Sequence, residues 1–141
     1  MKLTVLAVGR LKDDWLEAGA AEYHKRVRAR LPLEVIEAKD EAGLIRAIPP
    51  RSELWALDEG GKQLSSEELA QAIGDRMSRG ESGLAFAIGG ADGHSPALLA
   101  LARTRWSLGR LTLPHRLVRV ILLEQLYRAL SILRGEPYHR P

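Results

Sequence analysis

The chain has 141 residues, 45% of them hydrophobic and 28% charged, with a formal net charge of +3 and a pI near 9.5; that is the balance of one soluble domain, residues 1–141, able to bury a real core. Cysteine is absent, which excludes disulfides and thiolate metal sites, and His24, His94, His115 and His139 show no ligand spacing, so no metal is expected. No apolar stretch reaches the ~18 residues of a membrane span, and Met1–Val8 is too short for a signal peptide, so a cytoplasmic protein without a membrane partner is expected.

Short apolar runs alternate with longer helical patterns along the chain. Leu3–Val8 reads as a buried strand. Asp13 or Asp14 can cap a helix carrying Trp15, Leu16, Tyr23 and Val27, with Lys25, Arg26, Arg28 and Arg30 at its C-terminal end. Pro32 stops it before a second strand, Leu33–Ala38. Asp40–Ile48 fits a short helix, and Leu54–Leu57 a third strand closed by Asp58-Glu59-Gly60-Gly61. Ser65 and Glu68 form a capping box that opens a helix through Arg79. Leu84–Ile88 is the fourth strand, followed by Gly89-Gly90-Ala91-Asp92-Gly93 and a helix opened by Ser95-Pro96. A strand-like stretch, Leu108–Leu113, precedes Pro114 and a last helix to Arg134. Strand–helix alternation of this kind implies an α/β fold on a mainly parallel sheet flanked by helices.

Three features bear on function. Residues 103–141 hold eight arginines, no lysine and two acids, Glu124 and Glu136. The guanidinium fork matches phosphate and carboxylate, which points to nucleic acid. The glycine turn 89–93 sits between a strand and a helix, where main-chain amides approach an anion closely, although an ordinary tight turn reads the same way. Leu108–Leu113, broken by Gly109 and stopped by Pro114, is too irregular for a central strand. Its amides and carbonyls need partners that a nucleoside would supply. The last helix is apolar almost all round, so a second copy of the chain is expected to cover one side, with Arg116, Arg119 and Arg128 paired or facing a cleft.

Taken together, the segments Lys2–Gly9, Ala56–Lys62, Ile88–Gly93, Leu111–Val120, Glu124–Ala129 and Arg134–Arg140 resemble the SPOUT methyltransferases. Within these, the resemblance is to the RlmH (YbeA-like) family, which methylates N3 of a pseudouridine in 23S ribosomal RNA. It implies an α/β-knot fold with a C-terminal trefoil knot spanning about residues 84–134. It also implies S-adenosylmethionine as cofactor, bound by Leu57, Gly89, Leu108, Gly109, Arg110, Leu111, Thr112 and Leu113. The enzyme would be a homodimer acting on ribosomal RNA in the assembled ribosome, with the partner's tail completing the active site. Tyr138, His139 and Arg140 would be the catalytic tail, and Arg119, Arg128 and His115 would contact RNA. Relatives often carry serine where this chain has Gly109, and Lys39–Pro50 is shorter here than in many of them.

Methyl transfer to a ring nitrogen needs alignment of the reactants and loss of the N3 proton, for which His139 is the first candidate acceptor and Tyr138 a stacking partner. The alternatives are a dinucleotide-binding enzyme using the 89–93 turn, a non-catalytic RNA-binding α/β module, and a SPOUT enzyme acting on another base or on tRNA.

Overall fold

The computed structural model describes all residues, Met1–Pro141. Five strands, β1 (Lys2–Val8), β2 (Leu33–Ala38), β3 (Ser52–Gln63), β4 (Gly83–Ile88) and β5 (Thr104–Ser107), form one sheet in the order β2-β1-β4-β3-β5. Every pairing is parallel. The connections carry α1 (Asp14–Arg28), α2 (Glu41–Arg46), α3 (Ser66–Ser78), α4 (Pro96–Leu101) and α5 (His115–Leu133).

The two-residue period of the strands divides the core between the faces of the sheet. Leu3, Val5, Ala7, Leu84, Phe86 and Ile88 point to the face covered by α1, α3 and α5. Leu6, Ala85 and Ala87 point to the other, where Leu44 of α2 and Leu98 of α4 pack. β4 is buried along its whole length, as a strand between two parallel neighbours and two helical layers must be. On the first face Trp55, Phe86 and Trp106 lie edge to face or tilted, with ring centroids 5.7–5.9 Å apart. No helix is long and apolar enough to cross a membrane.

The local rules hold at most helix starts. Ser65 accepts from the Glu68 amide at 3.0 Å while the Glu68 carboxylate accepts from the Ser65 amide at 2.8 Å, completing the capping box. Ser95 caps α4 and Asp40 caps α2. Asp13 occupies the N-cap position of α1 but makes no side-chain cap hydrogen bond.

Two elements differ from expectation. β3 does not end at Leu57. It bulges at 58–61 and resumes, so that Leu57 and Lys62 both pair with Trp106. A side chain at Gly61 would place its Cβ 2.4 Å from the carbonyl carbon of Arg105, so only glycine lets the two backbones pass there. Arg105 clamps the bulge through Asp58, at 2.8 Å. The second difference is β5, which is Thr104–Ser107; the strand expected at 108–113 is a loop. Gly109 at φ +140° turns the chain out of the sheet, and no main-chain N–H from Arg110 to Leu113 finds a partner in the chain.

All five strands run the same way, so their C-terminal ends share one edge. The chain leaves β5 at the sheet margin and returns across that edge to α5, which packs between α1 and α3. A threaded C-terminal third requires such a return.

Candidate functional site

Open parallel sheets bind ligands in crevices beyond the carboxyl ends of their strands. A cavity of ≈ 520 Å³ lies at that edge here. Three segments make its walls: 57–59 at the β3 bulge, 88–94 from the last residue of β4 onward, and the run from Trp106 near the end of β5 through the first turn of α5. Leu57, Gly89, Leu108, Gly109, Leu111, Thr112 and Leu113, separated by up to 56 positions in the sequence, all line it. Arg110 does not; its side chain is exposed outside the wall. Leu111 lines the mouth and is 78% exposed.

The chemistry of the lining is mixed. Leu57, Ile88, Leu108, Leu113 and Val118 supply apolar walls, while the N–H groups of 110–113 stay free to donate. Ser107 Oγ accepts from the Gly109 amide at 3.1 Å and donates to the Gly109 carbonyl at 2.9 Å, closing the turn that presents those amides. On the facing wall Gly89 lies against Gly93, and Gly90 bridges to Gly93.

α5 delivers the remaining candidates at different heights. His115, in its first turn, lines the cavity. Arg119 is 4% exposed and committed inside the chain: it donates to Glu37 of β2 and to the Gly9 carbonyl at 2.9 Å. It therefore fastens the β1–α1 loop and is not free to reach a phosphate, contrary to the expectation of an RNA contact. Arg128 pairs with Glu124 at 2.8 Å.

The C-terminal tail is folded onto the α1–α3–α5 layer. Tyr138 donates to Glu124 at 2.7 Å, and its hydroxyl lies 3.4 Å from that of Tyr23. Its ring meets Tyr127 edge on at 4.6 Å. Burial, with the Tyr23 and Glu124 contacts, pushes the Tyr138 phenol well above its ordinary value. Arg128 donates to His139 Nδ1 at 3.1 Å, so the ring proton sits on Nε2, 3.4 Å from Glu67 and without a well-aligned acceptor. Neither ring nitrogen offers a free lone pair in this arrangement. Arg140 is exposed and unpaired. Glu124 and Arg128 follow His115 by 9 and 13 positions, about 14–20 Å along the helix, so a chain's own tail stands well away from its own cavity.

His94 is the wall residue that sequence reasoning missed. Its side chain is 2% exposed and lines the cavity, between Ala87 of β4 and Glu41 of α2. Only its place directly before the Ser95-Pro96 helix start could have drawn notice.

A family described as predicted SPOUT methyltransferase matches residues 1–139. Among curated proteins, the chain is 45% identical over 161 aligned positions to Ribosomal RNA large subunit methyltransferase H of Psychrobacter cryohalolentis, covering 99% of each. It is 44% identical to the protein of that name from Stenotrophomonas maltophilia, again over 99% of each, and 43% identical to that from Carboxydothermus hydrogenoformans, over 99% of this chain and 100% of the other. Among solved structures, a probable methylase family protein from Haemophilus influenzae superposes with a TM-score of 0.62 at 7% identity, covering 99% of this chain and 70% of that one, which speaks to the fold.

Proposed function

Because the chain belongs to the SPOUT methyltransferase family, we propose that it methylates N3 of a pseudouridine in large-subunit ribosomal RNA, as a homodimer acting on the assembled ribosome. The methyl donor is S-adenosylmethionine. The observation that carries the reading is the convergence of Leu57, Gly89 and the 108–113 loop on one cavity at the carboxyl edge of the sheet.

The residues around that cavity fit such a donor. Its volume lies within the ~300–1,000 Å³ usual for small-molecule sites, and its apolar walls suit an adenine ring. The free amides of 110–113 suit the ribose and the amino-acid end, groups that a purely apolar pocket would leave unsatisfied. When bound, the donor supplies a methyl group already activated by a sulfonium charge.

The chain's own contribution is then alignment and charge. The Ser107–Gly109 turn fixes the amides that would hold the donor, and the 88–94 wall opposes them across the cavity. The acceptor base must approach from the mouth, beside His115 and Leu111. N3 must lose its proton, and the resulting negative charge needs a donor group nearby. The tail supplies His139 and Arg140, and the distance along α5 argues that these come from a second copy. The helix supports that copy: Leu117, Val120 and Ile121 are only half-buried within one chain. In a dimer the Nε2–H of His139 would donate to the base and Arg140 would stabilise the developing anion; for His139 to accept the N3 proton, Arg128 must first release Nδ1.

Purified protein, S-adenosylmethionine and either free ribosomal RNA or intact ribosomes, followed by nucleoside mass spectrometry, test the reading. A mass gain of one methyl on a pseudouridine of the large-subunit RNA is expected, larger with ribosomes. A methyl on any other nucleoside would overturn the assigned base, and none at all the activity.

A further inference from the structure

Among the residues the methyl-transfer reading leaves unused, His94 is the one buried titratable group in the cavity wall. It ends the turn 89–93, and that turn has no other side-chain hydrogen bond to hold it; its internal ties are the Gly90–Gly93 bridge and the Gly93 amide to the Gly90 carbonyl at 3.0 Å. His94 Nε2 lies 3.1 Å from the carbonyl of Ala87. A carbonyl only accepts, so Nε2 carries a proton and Nδ1 is turned toward Glu41, 3.6 Å away. The same carboxylate accepts the Ser95 amide at 2.9 Å. Burial works to raise the Glu41 carboxyl, but the Ser95 hydrogen bonds and His94 outweigh it and keep the group below the ordinary carboxylate value. Two successive residues after the glycine turn are thus tied to α2, and one of them also to β4.

We propose that the Glu41–His94 pair is a strut that holds the glycine turn in its donor-binding shape, which makes His94 a positioning residue for the methyl donor; this rests on the cavity being the donor site. The physical reason is preorganisation. A turn with three glycines samples many conformations, and ordering it on binding subtracts from affinity. The strut settles that ordering before the donor arrives. Its removal weakens binding of the donor and leaves the rate of transfer from a saturated site alone.

Calorimetric titration with S-adenosylmethionine, thermal melts and methyl-transfer rates at saturating donor test this on the full-length protein. His94→Ala and Glu41→Ala are each expected to raise the donor Kd about tenfold, the equivalent of ~1.4 kcal/mol. The double variant is expected to bind no more weakly than the worse single one, because both remove the same strut. Glu41→Gln is expected to stay within about twofold of the parent, since its amide oxygen can take the place of the one carboxylate oxygen that faces both the Ser95 amide and Nδ1. At saturating donor, kcat stays within about twofold throughout. A folded His94→Ala or Glu41→Ala protein with parental affinity overturns the strut, as do additive losses in the double variant. Should His94→Ala not fold, the contrast between Glu41→Ala and Glu41→Gln decides the same question. A parent chain without affinity for the donor overturns the cavity assignment and the strut with it, a failure told apart because it precedes any substitution.

Discussion

Replacing Gly89 by alanine tests the cavity wall at its tightest point. An added Cβ would lie 2.8 Å from the carbonyl carbon of Gly93 and 3.0 Å from its Cα and oxygen. All three are main-chain atoms, so no rotamer change relieves the contact; Gly93, held at φ +75°, must move and take the Gly90–Gly93 bridge with it. Overpacking of this kind costs about 1–3 kcal/mol, a fall of roughly 3–12 °C in Tm for a chain of this length. The next residue supplies the control. A Cβ on Gly90 meets nothing closer than Val8 Cγ1 at 3.8 Å, ordinary contact, so Gly90→Ala should stay within about 0.5 kcal/mol of the parent. Differential scanning calorimetry of the ligand-free proteins reads both. Equal melts for the two variants, or the larger loss at Gly90, would refute the assignment of Gly89 as the residue under steric constraint.

Glu53 and Tyr138 carry opposite pH dependences. Burial raises the Glu53 carboxyl, but hydrogen bonds from Arg76 at 2.9 Å and Trp55 at 2.7 Å more than offset it, and the group sits below the ordinary value of 4.5. A lowered carboxyl contributes stability above that value and loses it as pH falls further. Glu53→Gln should therefore cost about 1–3 kcal/mol at neutral pH, and the gap from the parent should close in urea titrations carried below pH 4.5. Tyr138 runs the other way. Its raised phenol contributes stability below the ordinary value of 10.0, lost as pH rises past it. Tyr138→Phe should loosen the tail by about 1 kcal/mol near neutrality and remove its alkaline release, both read by limited proteolysis at the C-terminus.

The buried strands were legible because burial and pattern coincide in them. Leu3–Val8 and Leu84–Ile88 stand out as apolar runs, and both pair on the sheet as expected. Serine and glutamate three apart announced the start of α3 for a reason that is wholly local. The second half of β3 was illegible because 58–63 is polar and glycine-rich; it pairs with an edge strand, and pairing leaves no hydrophobic mark. β5 holds one large apolar side chain, Trp106. The more apolar stretch after it drew attention instead, yet its leucines face a cavity or solvent and not a strand neighbour. Gly109 and Pro114 forbid regular pairing there, and that irregularity places Leu108, Gly109, Leu111, Thr112 and Leu113 on the cavity wall where the sequence pattern suggests a strand. His94 gave no such sign: its partners are seven and fifty-three positions away, and no pattern within a window links them.

The arginines of the last third show why a count of charges must be settled by partners. Of eight, Arg105, Arg119, Arg128 and Arg134 are paired within the chain, and the acids that take Arg105 and Arg119, Asp58 and Glu37, lie outside the segment whose excess charge was conspicuous. A paired, buried guanidinium is a structural element: releasing it to an outside phosphate would strand Glu37 and the Gly9 carbonyl. Arg110, Arg116 and Arg140 carry no such obligation, and Arg116 stands next to His115 at the cavity. Arg116→Gln and Arg119→Gln should then separate two kinds of loss. The first should weaken RNA binding and flatten the plot of log K against log salt by about 0.7–0.9 for the phosphate contact removed, with the melt unchanged. The second should lower stability by about 1–3 kcal/mol with the slope unchanged. Filter binding across a salt series and a thermal melt on the same preparations give both readings, and an interchange of the two patterns would place the RNA contact on the buried arginine after all.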